Sequence, residues 1–254
     1  EIVYLPWIAN TPIITVSLDS VKLLAELDQV INISLNVEAG ITQGPDGDAA
    51  NDMLDVRQQL RTTPYDSWNL NWGYLAVIDS GIRLTHDMVD DQIVDYSGDC
   101  NNGGVTCWGD GSSPNGASGS NFPNYNITDF AFNNNGHGTP IKAGISGSDD
   151  ISTELRGITQ VTTDVWKAAP LPNPATPNAE ENSMPYTGTS RAIQKAIDEG
   201  SLISTNSYGG FGWTGMDIDF DNAYDLGMGV FVASNNDACF AGNFQFPPSN
   251  VGWN

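Results

Sequence analysis

Apolar side chains fall along this chain in short patches whose spacing predicts its elements. Tyr74 to Ile78 is an unbroken apolar run closed by Asp79-Ser80-Gly81, and predicts a strand buried on both faces that ends at the aspartate. Ile141, Ala143 and Ile145 follow Pro140 and predict a helix, since the first turn of a helix accepts proline without losing a hydrogen bond. Arg191, Gln194 and Lys195 interleave with Ile193, Ala196 and Ile197, the pattern of an amphipathic helix. Thr189 or Ser190 is the expected N-cap of that helix, and Gly200 closes it. Nearer the start, Ile13-Ile14-Thr15-Val16-Ser17 alternates, Ser20 to Leu27 is amphipathic, and Val30 to Leu35 is apolar-rich again, giving strand, helix and strand within Thr11 to Glu38.

Between these patches lie stretches with little periodicity. Ala39 to Asp52 is rich in Gly, Asp and Ala and reads as a linker or exposed loop, followed by a helix from Ala50 to Arg61. Ser97 to Asn135 is dominated by Asn, Gly and Ser, and is long enough to be an ordered surface insertion. Ala169 to Thr187 carries five prolines, at 170, 172, 174, 177 and 185, and reads as irregular.

Charge narrows the function classes. The 254 residues carry 9 Lys+Arg against 31 Asp+Glu, a formal net charge of −22, which repels nucleic acid and anionic membrane surfaces. No apolar stretch is long enough to cross a bilayer. Glu1 opens the chain without a methionine or a basic signal region, so the chain is expected to be part of a longer exported precursor. No strand-to-helix turn carries Gly-x-Gly-x-x-Gly or a phosphate loop, which sets aside a nucleotide-binding α/β domain.

Three cysteines are present. Cys100 and Cys107 bracket a turn-forming loop that a disulfide could staple, which fits an oxidising, exported setting. Cys239 is then left over, as a buried thiol or with a partner elsewhere. Asp87, Asp90, Asp91, Asp95 and Asp99 crowd one stretch of hard oxygen ligands that suits calcium as a structural ion, but no loop sets them at a defined ligand spacing.

The residues with chemical promise are Asp79, at the end of its strand, and His137, in Asn135-Gly136-His137-Gly138-Thr139. Ligands and chemistry gather where the strands of an open α/β sheet end. Glycines on both sides of His137 let the backbone crowd a neighbour and present the imidazole from a helix start. A carboxylate and an imidazole are the orienting acid and the base that activate a hydroxyl nucleophile.

Read in order, Val77-Ile78-Asp79-Ser80-Gly81 and Asn135-Gly136-His137-Gly138-Thr139 resemble the motifs of the subtilisin-like serine proteases, and the resemblance covers most of Trp72 to Val251. Ala192 to Gly200, then Ile203 to Gly210, looks like that family's helix and the strand ending in a Ser-x-Gly-Gly substrate edge. Gly229 to Asp237 looks like the strand and turn that carry its oxyanion asparagine. The resemblance implies a three-layer α/β subtilisin-like fold with a central, mainly parallel sheet, and a secreted or extracellular serine endopeptidase acting through an acyl-enzyme. Asp79 would orient, His137 would be the general base and Asn236 the oxyanion donor, with peptide substrate beside Ser207, Tyr208 and Gly209. Catalysis would require no cofactor. Residues 1–38 resemble the last half of the family's inhibitory propeptide, a small α+β unit, whose tail near Val37 to Gly44 should thread toward the active site. Residues 39–70 are then linker and N-terminal helix, and 71–254 the catalytic domain without its C-terminal part.

Departures accompany the matches. Pro140 stands where the family has a second histidine, and Asn235 where it has glycine before the oxyanion asparagine. The serine motif is not found: Gly188-Thr189-Ser190 copies its first three letters, but in an amphipathic helix and ahead of the substrate strand, whereas the subtilisin order puts the nucleophile last. His86 follows the aspartate motif as a structural loop residue, and Tyr208 is expected as a half-buried strand aromatic. The chain is a fragment, or its serine lies on a second, C-terminal piece, or the protein is a non-catalytic structural or binding subunit that retains the fold.

Overall fold

A computed structural model describes residues 2–4, 12–30, 33, 38–40, 56–58, 60–62, 75–83, 85–89, 94–100, 129, 136–148, 156–159, 161, 163–169, 183–209 and 214–233. Its centre is a five-stranded sheet of β4 (Leu75–Asp79), β5 (Val94–Asp99), β6 (Thr163–Lys167), β8 (Ile203–Asn206) and β9 (Gly229–Val232), in the order β5-β6-β4-β8-β9 with every pair parallel. The chain places β5 and β6 on one side of β4 before crossing to build β8 and β9 on the other. This makes the C-terminal end of β4 the point where the winding reverses, the place such sheets reserve for ligands.

The run that predicted β4 is buried because both faces are covered. Val77 packs with Val165, Ile82, Val89 and Ala143 on one side, while Ala76 and Ile78 join Trp166, Ala192, Ile193, Met216 and Phe220 on the other. The register puts Val77 opposite Val165 and Ile78 opposite Trp166, so cross-strand neighbours share a face. Each fully buried aliphatic side chain of this kind contributes roughly 1.5–3 kcal/mol. Helix α2 (Gly138–Ser146) contributes Ala143 to the first layer; α3 (Tyr186–Asp198) and α4 (Thr214–Asp225) form most of the second.

Helix α3 corrects two expectations. It begins at Tyr186 with Pro185 as N-cap residue, so Thr189 and Ser190 lie inside its first turns, and Thr189 Oγ1 donates to the Pro185 and Tyr186 carbonyls. Proline fixes the extended backbone that starts the helix, and it caps no N–H with a side chain. The stretch from 169 to 187 is also not wholly irregular: Ser183–Pro185 is strand β7. Gly200 does close the helix, at φ +81, with Ser201 N donating to Ala196 O (2.8 Å) and Gly200 N to Ile197 O (3.0 Å).

Toward the N-terminus, β1 (Ile2–Tyr4) pairs antiparallel with β2 (Ile13–Ile14), and α1 (Leu18–Ala25), capped by Ser17, starts two residues before the amphipathic stretch. Val30 and Ile33 are not in strands, and most of the strand expected at 30–35 lies outside the described residues. Residues 56–58 are helical, within the helix expected from Ala50 to Arg61. The linker reading fails at its first residues, because Glu38–Gly40 forms β3, antiparallel to β7 with Ala39 opposite Met184. Edge pairing recruited them, a long-range event that local composition does not announce.

Candidate active site

Asp79 is the last residue of β4, with 1% exposure. The ladder continues past it, Ala168 N donating to Asp79 O at 2.8 Å, so its backbone is held rigidly at the sheet edge. The carboxylate turns back over that edge: Oδ1 accepts the Ser80 N–H at 2.6 Å and faces His137 Nδ1 at 2.7 Å. Oδ2 has no hydrogen-bond partner among the described residues.

His137 is the N-cap residue of α2, the helix that lies over β4. Gly138 permits the approach, since a Cβ there would overlap Gly81 O and lie 3.0 Å from Asp79 Cβ. Pro140 occupies the first turn of α2, as its missing N–H allows. A carboxylate can only accept, so the Asp79 contact places a proton on Nδ1 and leaves Nε2 as the lone-pair nitrogen of the neutral ring. Burial pushes the imidazole pKa down, but the charge and hydrogen bond of Asp79, with the charge of Asp129 behind them, outweigh it and raise it above the ordinary 6.5. A buried, oriented base that titrates above 6.5 at the end of the sheet can take a proton from a weak nucleophile and return it to a leaving group.

The other predicted residues fall out as follows. Ser207, Tyr208 and Gly209 directly follow β8, the neighbour of β4, at the same edge. Tyr208 is 2% exposed and its hydroxyl donates to Asn206 Oδ1 at 2.7 Å. Burial first, then the Asp79 and Asp219 charges, hold that hydroxyl well above its usual range, so it is a fixed donor. Ser190 is fully buried within α3; its Oγ accepts Gln194 Nε2 at 3.3 Å and faces Asp219. His86 is exposed in a loop, its Nδ1 accepting the Met88 N–H at 3.2 Å. Cys100 is buried and disulfide-bonded, while Cys107, Cys239 and Asn236 lie outside the described residues. Asp90 and Asp91 of the acidic stretch lie outside them too, and no group of three His, Cys, Asp or Glu able to hold a metal occurs among the described residues.

Sequence reading passed over Asp129 and Ser80, which take the leading N–H groups of α2. A signal for them existed: the start of α2 has no Ser, Thr, Asp or Asn at its N-cap, so its free donors needed an acceptor from elsewhere in the chain. Asp219 was missed as well. It is fully buried between α3 and α4, neither oxygen has a hydrogen bond of full quality, and burial raises it to about 7 against the opposing pull of the Ser190 and Tyr186 hydroxyls.

A parallel sheet covered by helices on both faces, with an acid ending its central strand and a base opening the helix above it, has the architecture of the subtilisin-like fold. Among solved structures it is similar to the epidermin leader peptide processing serine protease EpiP from Staphylococcus aureus, with a TM-score of 0.60 and 15% identity, over 93% of this chain and 55% of that one. The nisin leader peptidase NisP from Lactococcus lactis aligns at a TM-score of 0.48 and 19% identity, over 75% of this chain and 51% of its own. Fervidolysin from Fervidobacterium pennivorans, a keratinolytic enzyme related to subtilisin, aligns at 0.47 and 18%, over 80% and 30%. The chain spans about half the length of EpiP and NisP, 55% and 51%. No family model and no curated protein matches the sequence. Among the described residues, no helix is long and apolar enough to cross a membrane.

Proposed function

We propose that the chain belongs to a secreted subtilisin-like serine endopeptidase. The observation that carries this is the 2.7 Å contact between Asp79 Oδ1 and His137 Nδ1 at the point where the sheet reverses its winding. In the proposed reaction a serine supplied by sequence beyond residue 254 gives its proton to His137 Nε2 as Oγ attacks the peptide carbonyl. Asp79 stabilises the imidazolium and keeps it in orientation. His137 then returns the proton to the leaving amine, and water repeats the sequence on the acyl-enzyme. Asn236 is the proposed oxyanion donor, a contribution of roughly 2.7–4 kcal/mol that general experience draws from subtilisin itself.

Substrate would lie extended along the edge that runs through Ser207, Tyr208 and Gly209, by strand addition. Residues 1–38 are proposed as a propeptide-like unit. Supporting this, β3 lies antiparallel on β7, and β7 runs directly into α3, whose Gly188 abuts the Ala168 carbonyl one residue beyond Lys167, the register partner of Asp79. A tail continuing from β3 would have a route toward the rim that holds Asp79. The disulfide at Cys100 supports an exported location, and calcium is proposed as a structural ion only.

The test is to incubate the natural full-length protein with an unfolded polypeptide and map the fragments. Cleavage abolished by His137→Ala is expected. Intact polypeptide after complete removal of residues 1–38 would favour a scaffold that retains the fold.

A further inference from the structure

Behind the Asp79–His137 contact sits a second carboxylate. Asp129 is fully buried and accepts four hydrogen bonds. Its Oδ2 takes the His137 N–H at 2.8 Å, the Thr139 N–H at 2.9 Å and the Thr139 hydroxyl at 2.7 Å, while Oδ1 takes the Ser80 hydroxyl at 2.7 Å. Ser80 Oγ in turn accepts the Gly138 N–H at 3.0 Å. Three consecutive N–H groups at the start of α2 are therefore bound by one carboxylate and one hydroxyl, neither of them local to the helix. A negative charge at a helix N-terminus is favourable, and here it is buried where salt screens it least.

Two features show the arrangement is built into the chain. At Gly136, φ is +88 and a Cβ would come 2.6 Å from Asp129 Oδ2, so only glycine lets the carboxylate reach the His137 N–H. Ser80 is also the residue after Asp79, and its own N–H binds Asp79 Oδ1. The acid's strand end and the base's helix start are thus tied to the same buried group.

We propose that Asp129, acting with Ser80, is a positioning residue: it fixes the backbone of His137 so that the imidazole meets Asp79, and it adds a second negative field behind the ring. This rests on reading His137 as the base of a hydrolase. It explains how a histidine flanked by two glycines, which alone would be loose, is held in one place. Misplacing a reacting group by about 1 Å lowers rates on the order of 10²-fold. Among the described residues, the charged groups that set the imidazole's field are Asp79 from β4 and Asp129.

Nitrogen-15 NMR of the imidazoles tests this, because the only other histidine, His86, is exposed and serves as internal reference. In the unsubstituted chain His137 should show an Nδ1 proton shifted far downfield by Asp79. Asp129→Ala should broaden or abolish that proton, and in the full-length protein lower kcat about 10²-fold with KM little changed. Asp129→Asn keeps an oxygen for the α2 donors and guards against simple misfolding; it should retain the Nδ1 signal while the His137 pKa moves down. An Nδ1 signal and pKa unaltered in both variants would overturn the proposal, even if both melted earlier. The NMR result stands independently of peptide hydrolysis, so loss of the peptidase reading shows itself separately, as no turnover by the unsubstituted full-length protein.

Discussion

His137 Nδ1 and Asp79 Oδ1 lie 2.7 Å apart although 58 positions separate them in the chain. One is fixed by a strand buried on both faces and the other by a helix start that only glycine at 138 allows so close. Their contact is therefore a property of the packed sheet, and the chemistry proposed for the chain depends on it.

If Asp79 holds the tautomer of His137, Asp79→Asn should preserve the fold and lower kcat of the full-length protein about 10⁴-fold, the order seen when a triad aspartate is replaced. Steady-state kinetics on a peptide substrate measures it. A loss below tenfold would mean that the imidazole is oriented by something else.

The raised His137 pKa gives a pH profile with a definite sign. As a base the ring must be neutral, so kcat/KM should rise with pH through a value above 6.5. For stability the same shift works the other way: the protonated ring's stabilising contribution is fully present below 6.5 and fades as pH rises through the higher folded value. Urea denaturation of the chain and of His137→Gln should accordingly differ more at pH 6 than at pH 9.

Gly138→Ala places a methyl group against the Gly81 carbonyl and the Asp79 side chain. Backbone must move to admit it, which should destabilise by about 1–3 kcal/mol and separate acid from base. Thermal melting and the downfield Nδ1 proton read the two effects, and a variant with native stability and an intact proton would contradict the packing described.

Asp219, raised to about 7, carries the opposite stability sign from a salt-bridged aspartate. Between its ordinary value of 3.8 and 7 the folded state binds the extra proton, so stability falls as pH rises across that window. Asp219→Asn, which keeps an acceptor for the Ser190 and Tyr186 hydroxyls, should stabilise the chain near neutral pH by on the order of a few kcal/mol and flatten that slope. Denaturant midpoints at pH 4 and pH 7.5 provide the comparison; a variant less stable at pH 7.5 would refute it.

Legibility in the sequence followed locality. β4, α2 and the Gly200 stop of α3 could be read because an apolar run, a proline and a glycine act within a few residues. The pairing of β3 with β7 could not, since Glu38 to Gly40 and Ser183 to Pro185 have no strand-like composition and gain it only from each other. Asp129 sits in a polar stretch without periodicity, so its link to His137 exists only once β4 and α2 are packed. Tyr186 as the true start of α3 was hidden because a copied Gly-Thr-Ser offered a more familiar cap.

The most direct measurement is fluorophosphonate labelling of the mature full-length protein, followed by peptide mapping. One labelled serine beyond residue 254, with labelling lost in His137→Ala and strongly reduced in Asp79→Asn, is the result expected. Mature, folded protein that takes up no label would contradict the account.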